Sequence, residues 1–183
     1  MTRLTALNPE EVTGKTKELF NAVQAKLGVV PNMMRTMGNS PAVLEGYLNL
    51  SGALSHGKLG SKTGELLALA VSEQNSCDYC VAAHTYIGEN LIKTDPAVIR
   101  AARTGKSDDA KTAAILQFAK TLVSKNGLVN DEDVNTVKNV GVSDAELAET
   151  VAHVALNILT NYFNNTANTE IDFPAVEALE SQN

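Results

Sequence analysis

The stretch GELLALAVSEQNSCDYCVAAH, residues 64–84, gives the strongest indication of how the chain folds and where its chemistry lies. Its first half is a dense apolar run of leucine, alanine and valine, which is typical of a buried helix. The polar residues Gln74-Asn75-Ser76 interrupt that helix, and Ser76 is predicted to cap a second one that runs from Cys77 to about Ile92. The sequence therefore predicts two consecutive helices, with a cysteine pair at the start of the second.

Helical periodicity continues outward on both sides of this stretch. The apolar helix of that stretch is predicted to span about 61–74. The other helices are predicted at about 8–28, 31–38, 40–57, 96–103, 109–125, 131–140 and 144–164, the first with a stripe of Leu19, Val23 and Leu27 and the last with a capping box from Ser143 to Glu146. Glycine and proline fall at helix ends rather than in a long linker, and no segment has the pattern of a strand pair. The sequence predicts an all-α fold, a single-domain helical bundle over residues 1–183 whose Cys-x-x-Cys core occupies about 40–125.

Composition and charge exclude several function classes. The 183 residues are 44% hydrophobic and 20% charged, with 4% aromatics and no tryptophan, which is the balance of a globular protein with an aliphatic core. The net charge of −6 and the lack of any run of lysine or arginine argue against a nucleic-acid or anionic membrane partner. The longest apolar run, near Leu66–Val71, is too short to span a bilayer, and the first residues lack the apolar core of a signal peptide. We expect a cytoplasmic protein.

Cys77, Cys80 and His84 are the residues best placed for chemistry. Their offsets of zero, three and seven put the three side chains on one face of a helix. A free cysteine, with a pKa of about 8.5, is mostly protonated at neutral pH, yet the thiolate is the form that reacts with a peroxide or a disulfide. The positive end of the helix and an imidazole that accepts the proton both favour the thiolate. The spacing therefore indicates a redox-active pair.

Glu65 lies twelve residues before Cys77, within the apolar face of the preceding helix. A lone glutamate on a helix is more often a solvated surface charge, and a carboxyl group among leucines is costly unless it is paired. If the two helices form a hairpin, Glu65 points back at the cysteine–histidine face. There it would orient His84 or relay a proton.

The pattern of Glu65, eleven intervening residues and then Cys-x-x-Cys-x-x-x-His resembles the alkylhydroperoxidase D-like branch of the carboxymuconolactone decarboxylase family. The closing segment NYFNNTANTEIDFP, residues 161–174, also looks like that of the peroxidase-related members, so the resemblance covers nearly the whole chain. It implies an all-helical protein that assembles as a homo-oligomer, a trimer or a hexamer. It also implies roles for four residues, with Cys80 as the peroxide-reactive thiol, Cys77 as the resolving thiol, and His84 with Glu65 as the proton relay.

Two features complicate that assignment. Well-studied members carry a histidine between the two cysteines, where this chain has Tyr79. A phenol with a pKa near 10 is a poor base at neutral pH but can donate a hydrogen bond, so Tyr79 is at most auxiliary. In thioredoxin-type motifs the first cysteine is the nucleophile because it feels the helix terminus most, whereas the adjacent His84 favours Cys80. Geometry and resemblance together favour Cys80.

The resemblance implies a thiol-dependent alkyl hydroperoxidase or disulfide reductase in antioxidant defence, which needs no flavin, haem or metal. Its partners would be an organic or hydrogen peroxide and a dithiol donor, such as a lipoyl-bearing or thioredoxin-like protein. The residues leave open a non-catalytic scaffold that senses redox state or holds zinc, with a fourth ligand from Glu65, His56, His153 or water. A lactone decarboxylase is a further alternative, although such members generally lack the cysteine pair.

The remaining polar and sulfur-bearing residues are predicted to be structural. His56 is expected to interact with a helix C-terminus, and His153, on a polar stripe, is expected at a solvent or subunit surface. Met33, Met34 and Met37 are expected to fill the core or an interface. The asparagines of residues 161–168 are expected to cap and pack the last helix, and the tail after Asp172-Phe173-Pro174 is expected to be loose at its end.

Overall fold

The computed structural model describes residues 1–179 and is all-helical, as predicted, with no strand in that range. The described part contains nine α-helices: α1 Gly14–Leu27, α2 Asn32–Met37, α3 Pro41–Leu54, α4 Gly60–Gln74, α5 Asp78–Asn90, α6 Pro96–Arg103, α7 Ala110–Ser124, α8 Asp131–Asn139 and α9 Asp144–Ala167. None of these helices is both long enough and apolar enough to cross a bilayer.

Helix α4 is the central element of the fold. Its apolar run from Leu66 to Val71 is buried on all sides, and α4 packs against α5, α6, α7 and α9. A helix that is hydrophobic around its whole circumference must be enclosed by other helices, which explains this position. Glu65, which lies next to this run, is therefore held on a helix that four other helices enclose.

The turn between α4 and α5 differs from the prediction in one residue. Ser76 does not cap α5, because its backbone is left-handed, with a φ of 51°. The N-cap is Cys77, whose sulfur accepts the backbone N–H of Cys80 at 3.3 Å. Cys77 therefore has a structural role at the helix terminus as well as its sulfur chemistry.

Two hydrophobic clusters form the interior. One joins α4 to α6, α7, α8 and α9 through aliphatic side chains and Phe118. The other joins α1, α2 and α3 to the start of α5, and it contains Cys77, Tyr79 and Cys80 together with Phe20 and the three methionines of α2. The cysteine pair is thus embedded in the N-terminal cluster, where α5 meets the first three helices.

The first helix begins later than predicted. The Asn8 side chain accepts the N–H of Glu10, which folds residues 8–11 into a turn, and α1 starts only at Gly14. Asparagine and proline favour such turns because the asparagine carboxamide competes with the helical backbone for its hydrogen bonds. The buried stripe of α1 is Thr16, Phe20 and Val23, whereas the predicted stripe member Leu27 is exposed.

The last helix and the tail hold distant parts of the chain together. The predicted capping box of Ser143 and Glu146 is present at the start of α9, and α9 extends to Ala167, three residues beyond the prediction. In the tail, the Asp172 carboxylate accepts the N–H of Asn32 at 2.8 Å, and Arg103 donates to the carbonyl of Glu177 at 2.9 Å. Residues 180–183, where the tail was expected to be loosest, lie outside the described residues.

Candidate active site

The two cysteines are joined as a disulfide at the N-terminus of α5, with their Cα atoms 5.3 Å apart. Both side chains are buried, but their surroundings differ. Cys77 lies at the cap position, where the backbone N–H groups of the first turn create a positive potential. Cys80 lies inside the first turn. A sulfur at each position experiences a different electrostatic field, which allows the two sulfurs to play different roles in a redox cycle.

Glu65 and His84 form the hydrogen-bonded contact that a helical hairpin was expected to allow. The Nδ1 atom of His84 is 2.7 Å from Oε2 of Glu65, across the interface between α4 and α5, and both side chains are about one-fifth exposed. When Nδ1–H donates to this carboxylate, the lone pair of Nε2 is free to accept a proton. His84 lies one turn after Cys80 on α5, so this base is on the same helix face as the sulfur.

An apolar cavity of about 230 Å³ opens onto Cys80 but not onto Cys77. Its walls also include Met33, Met34, Tyr47, Tyr79, His84 and Phe173. Met33 and Met34 are buried, as predicted, and they also line this cavity, whereas Met37 lies wholly in the core. Of the two sulfurs, Cys80 is therefore the one that a bound apolar molecule could contact.

A second cavity of about 300 Å³ lies against Glu65 and shares His84, Tyr47 and Thr160 with the first. His153 lines this cavity and is partly exposed, and its place at a solvent or subunit surface stays a prediction. The His153 ring packs on Gly64, and a Cβ atom added to Gly64 would lie 3.1 Å from the ring. This close approach covers part of the His153 ring. Burial lowers the pKa of His153, against the raising effect of the Glu149 and Glu65 carboxylates.

The tyrosines near the site are poor acids and bases. The phenol oxygen of Tyr79 accepts the N–H of Met33 at 3.1 Å, and burial raises the pKa of Tyr79 well above its usual value. Burial, with a contribution from the Glu65 charge, raises the pKa of Tyr47 to about 12. Both phenols thus stay protonated at neutral pH, and they can act only by packing or hydrogen bonding.

Asn164 is a site residue that the sequence interpretation missed. Its Nδ2 donates to Sγ of Cys80 at 3.3 Å, and its side chain is buried. Its Oδ1 is buried and has no hydrogen-bond partner among residues 1–179, an arrangement that typically costs about 1–3 kcal/mol. A signal for it was present, because Asn157, Asn161 and Asn164 recur at helical spacing on the buried face of α9.

A metal site is not preformed in the described part of the chain. No three histidine, cysteine, aspartate or glutamate side chains come together there in a way that could hold an ion. His56, one of the suggested zinc ligands, is exposed at the end of α3. The zinc alternative would require the disulfide to open.

Comparison with known proteins shows which family and which solved structures the chain resembles. Residues 41–122 match the model of the carboxymuconolactone decarboxylase family. A structure described as an alkylhydroperoxidase AhpD core, an uncharacterized peroxidase-related protein from Ralstonia eutropha JMP134, is 26% identical with a TM-score of 0.83, over 93% of this chain and 92% of that one.

Two further solved structures share the fold at lower identity. A peroxidase-related protein from Silicibacter sp. TM1040 is 21% identical with a TM-score of 0.81, over 92% of this chain and 91% of that one. The debrominase Bmp8 is 20% identical with a TM-score of 0.79, over 94% of this chain and 93% of that one. No curated protein sequence matches the chain significantly.

Proposed function

Because the chain is an AhpD-like protein whose residues 41–122 match the carboxymuconolactone decarboxylase family, we propose that it is a thiol-dependent peroxidase that reduces organic hydroperoxides with Cys77 and Cys80. One observation carries the proposal. Cys80 is the sulfur that faces an apolar cavity. The same cavity is lined by His84, whose ring nitrogen Nδ1 contacts Glu65. A nucleophile, a base and an orienting carboxylate are the parts that such a reaction needs.

In the first step, Nε2 of His84 takes the proton of the Cys80 thiol. The thiolate attacks the distal oxygen of the hydroperoxide, the O–O bond breaks, and the proton on His84 passes to the departing alkoxide. The products are an alcohol and a sulfenic acid on Cys80, so the sulfur loses two electrons and the peroxide gains them. Glu65 stabilises the imidazolium that forms between these two proton transfers.

In the second step, the Cys77 thiolate attacks the sulfur of the sulfenic acid. Hydroxide leaves, takes up the proton released from the Cys77 thiol and departs as water, which gives the disulfide present in this structure. A dithiol donor then reduces the pair. Its thiolate attacks Cys80, which faces the cavity, and Cys77 leaves as a thiolate stabilised by the N-terminus of α5.

The donor we propose is a lipoyl-bearing or thioredoxin-like protein, whose second thiol completes the exchange and releases Cys80. If the oxidant is instead a partner's disulfide, the same residues act as a disulfide reductase. We further propose that the chain is a single domain that works in the cytoplasm in antioxidant defence, as a homotrimer or homohexamer. Leu50, Leu159 and Tyr162 are exposed apolar side chains that support subunit contacts.

The test is rapid mixing of the reduced, metal-analysed protein with cumene hydroperoxide, followed by thiol counting and mass spectrometry. We expect both thiols to disappear within seconds as an intramolecular disulfide. Cys77→Ser should consume one equivalent and stop as a sulfenic acid that dimedone traps, and Cys80→Ser should not react.

Other outcomes point elsewhere. If the thiols persist for hours, the remaining interpretations are a non-catalytic scaffold and a disulfide reductase. Zinc bound in stoichiometric amount would indicate that the cysteine pair is a structural metal site. Turnover by Cys80→Ser would reverse the assignment of the nucleophile. A lactone decarboxylase would keep its activity in the double variant Cys77→Ser/Cys80→Ser, which the peroxidase cannot.

A further inference from the structure

The contact between Asn164 and Cys80 joins two segments that are far apart in sequence. Asn164 lies on α9, 84 residues after Cys80, and its carboxamide Nδ2 reaches the sulfur at 3.3 Å. Asn164 is 3% exposed and is not among the residues that line the cavity on Cys80. The amide therefore approaches the sulfur from the protein interior, and the cavity side of the sulfur stays open to a substrate.

We propose that Asn164 is a further residue of the active site, which donates a hydrogen bond to the Cys80 sulfur and thereby stabilises its thiolate and fixes its direction toward the cavity. A hydrogen bond to an ionised acceptor is stronger than one to a neutral acceptor, so the contact favours the thiolate over the thiol. This inference rests on the proposed function, because it assigns to Asn164 a part in the same peroxide step.

The cysteine pair itself explains why Cys80 needs such a donor. At the start of α5, the backbone N–H of Cys80 donates to the sulfur of Cys77. The helix terminus therefore stabilises negative charge on the Cys77 sulfur more than on the Cys80 sulfur. Cys80 faces an apolar cavity on its other side, and apolar surroundings disfavour the charged form of a thiol. His84 can accept the proton, but it cannot solvate the sulfur from the interior. Asn164 supplies that solvation.

The remaining atom of the carboxamide supports a role beyond packing. Oδ1 of Asn164 has no partner among residues 1–179, whereas Asn161, one turn earlier, uses both ends of its carboxamide, donating to Ser72 and accepting from Asn75. Within residues 1–179, the one side-chain hydrogen bond that Asn164 makes is to the Cys80 sulfur. Asn161 is therefore a matched control, a buried asparagine on the same helix whose carboxamide hydrogen-bonds to Ser72 and Asn75 rather than to Cys80.

The experiment measures how readily Cys80 ionises, without using peroxide. In a Cys77→Ser background, in which Cys80 is the sole thiol, the rate of alkylation by iodoacetamide is followed against pH. We expect Asn164→Leu, which keeps the branched shape of the side chain, to move the midpoint of this profile up by about one pH unit. At a fixed pH below both midpoints, this corresponds to about a tenfold slower alkylation. Asn164→Ala should move the midpoint in the same direction, and Asn161→Leu should move it by no more than a few tenths of a pH unit.

Thermal melting of each variant establishes that it is folded, and Asn164→Ala replaces Asn164→Leu if the larger side chain prevents folding. An unmoved or lowered midpoint in the Asn164 variants would overturn the proposal, as would an equal rise in Asn161→Leu. Failure of the peroxidase proposal has a different signature. In that case the Cys77→Ser protein would alkylate normally and still not react with cumene hydroperoxide at a pH where Cys80 is ionised.

Discussion

At the residue scale, the two cysteines differ more than their spacing suggests. Cys77 accepts a backbone hydrogen bond at the helix cap, and Cys80 faces the cavity and contacts Asn164. The helix terminus favours the first cysteine and the histidine favours the second, and in the proposed mechanism the two cysteines accordingly have separate tasks. The Cys77 sulfur, stabilised by the helix terminus, is suited to leave as a thiolate when the disulfide is reduced. The accessible Cys80 sulfur is suited to attack the peroxide and to be attacked by the dithiol donor.

The first prediction concerns the carboxylate behind His84. Glu65→Gln keeps a side-chain oxygen that can accept from Nδ1–H but removes the charge that stabilises the imidazolium. Because a hydrogen bond to a charged partner contributes about 1.5–3 kcal/mol, we expect the rate constant for oxidation of Cys80 by cumene hydroperoxide at neutral pH to fall about tenfold or more. Stopped-flow thiol loss measures it.

Glu73→Gln is the control for this prediction. Glu73 lies on the same helix but pairs with Arg103, and it lines neither of the two cavities next to His84. Its substitution can lower stability but should leave the rate constant within about twofold. If both variants slowed the reaction equally, the effect of Glu65→Gln would be structural, and the carboxylate would have no place in the proton relay.

At the element scale, local signals predicted the helices better than they predicted their first residues. The short Met-rich helix, the proline start of α6 and the capping box of α9 are where the sequence placed them. The predicted starts of α1 and α5 were wrong for different reasons. The Asn8 side chain holds the residues before α1 in a turn, and the left-handed backbone of Ser76 prevents that residue from capping α5. Asn8 forms a turn instead of a cap, and Cys77 caps α5 although cysteine is not a usual N-cap residue.

The second prediction concerns the capping box of α9. Hydrogen bonds from Lys111 and from the backbone N–H and hydroxyl of Ser143 lower the pKa of Glu146 to about 2. Because the folded-state pKa is below the unfolded value of about 4.5, this carboxylate stabilises the fold above pH 4.5, and the contribution is lost as pH falls toward 2.

We expect Glu146→Gln to lower the free energy of unfolding by about 1 kcal/mol at pH 7, because the amide keeps an acceptor for the cap but loses the charge that faces Lys111. The difference from the parent protein should shrink steadily between pH 4.5 and pH 2. Urea unfolding at a series of pH values measures it. A difference that stayed constant down to pH 2 would mean that the carboxylate charge contributes nothing, and that the variant acts through cap geometry alone.

At the scale of the whole molecule, the candidate site depends on contacts that no local pattern contains. The positions of Glu65, Cys77, Cys80 and His84 could be predicted because they lie within 20 residues on two adjacent helices. Helical spacing could place Asn164 on the buried face of α9, but its contact with Cys80, and that of Phe173 with Tyr79, could not be predicted because they form only after α9 and the tail pack across α5. The close approach of the His153 ring on α9 to Gly64 on α4 is another contact between distant segments that no local pattern contains.

The third prediction concerns the tail as the outer wall of the cavity. The ring of Phe173 packs edge-on against Tyr79 with centroids 5.7 Å apart, lies 5.8 Å from Tyr86, and lines the cavity on Cys80. Asp172 fixes this position through its hydrogen bond to the N–H of Asn32. The tail thus supplies apolar surface to the site from the far end of the chain.

Phe173→Ala removes that surface but none of the groups that handle protons. We expect the KM for cumene hydroperoxide to rise about tenfold with kcat nearly unchanged, because the lost contact binds substrate and transition state equally. The efficiency with hydrogen peroxide, which has no apolar group to bind there, should stay within about twofold. Steady-state assays of the two peroxides with dihydrolipoamide as the donor compare them directly. An equal loss with both peroxides would mean that Phe173 supports the fold of the site rather than the binding of an apolar substrate.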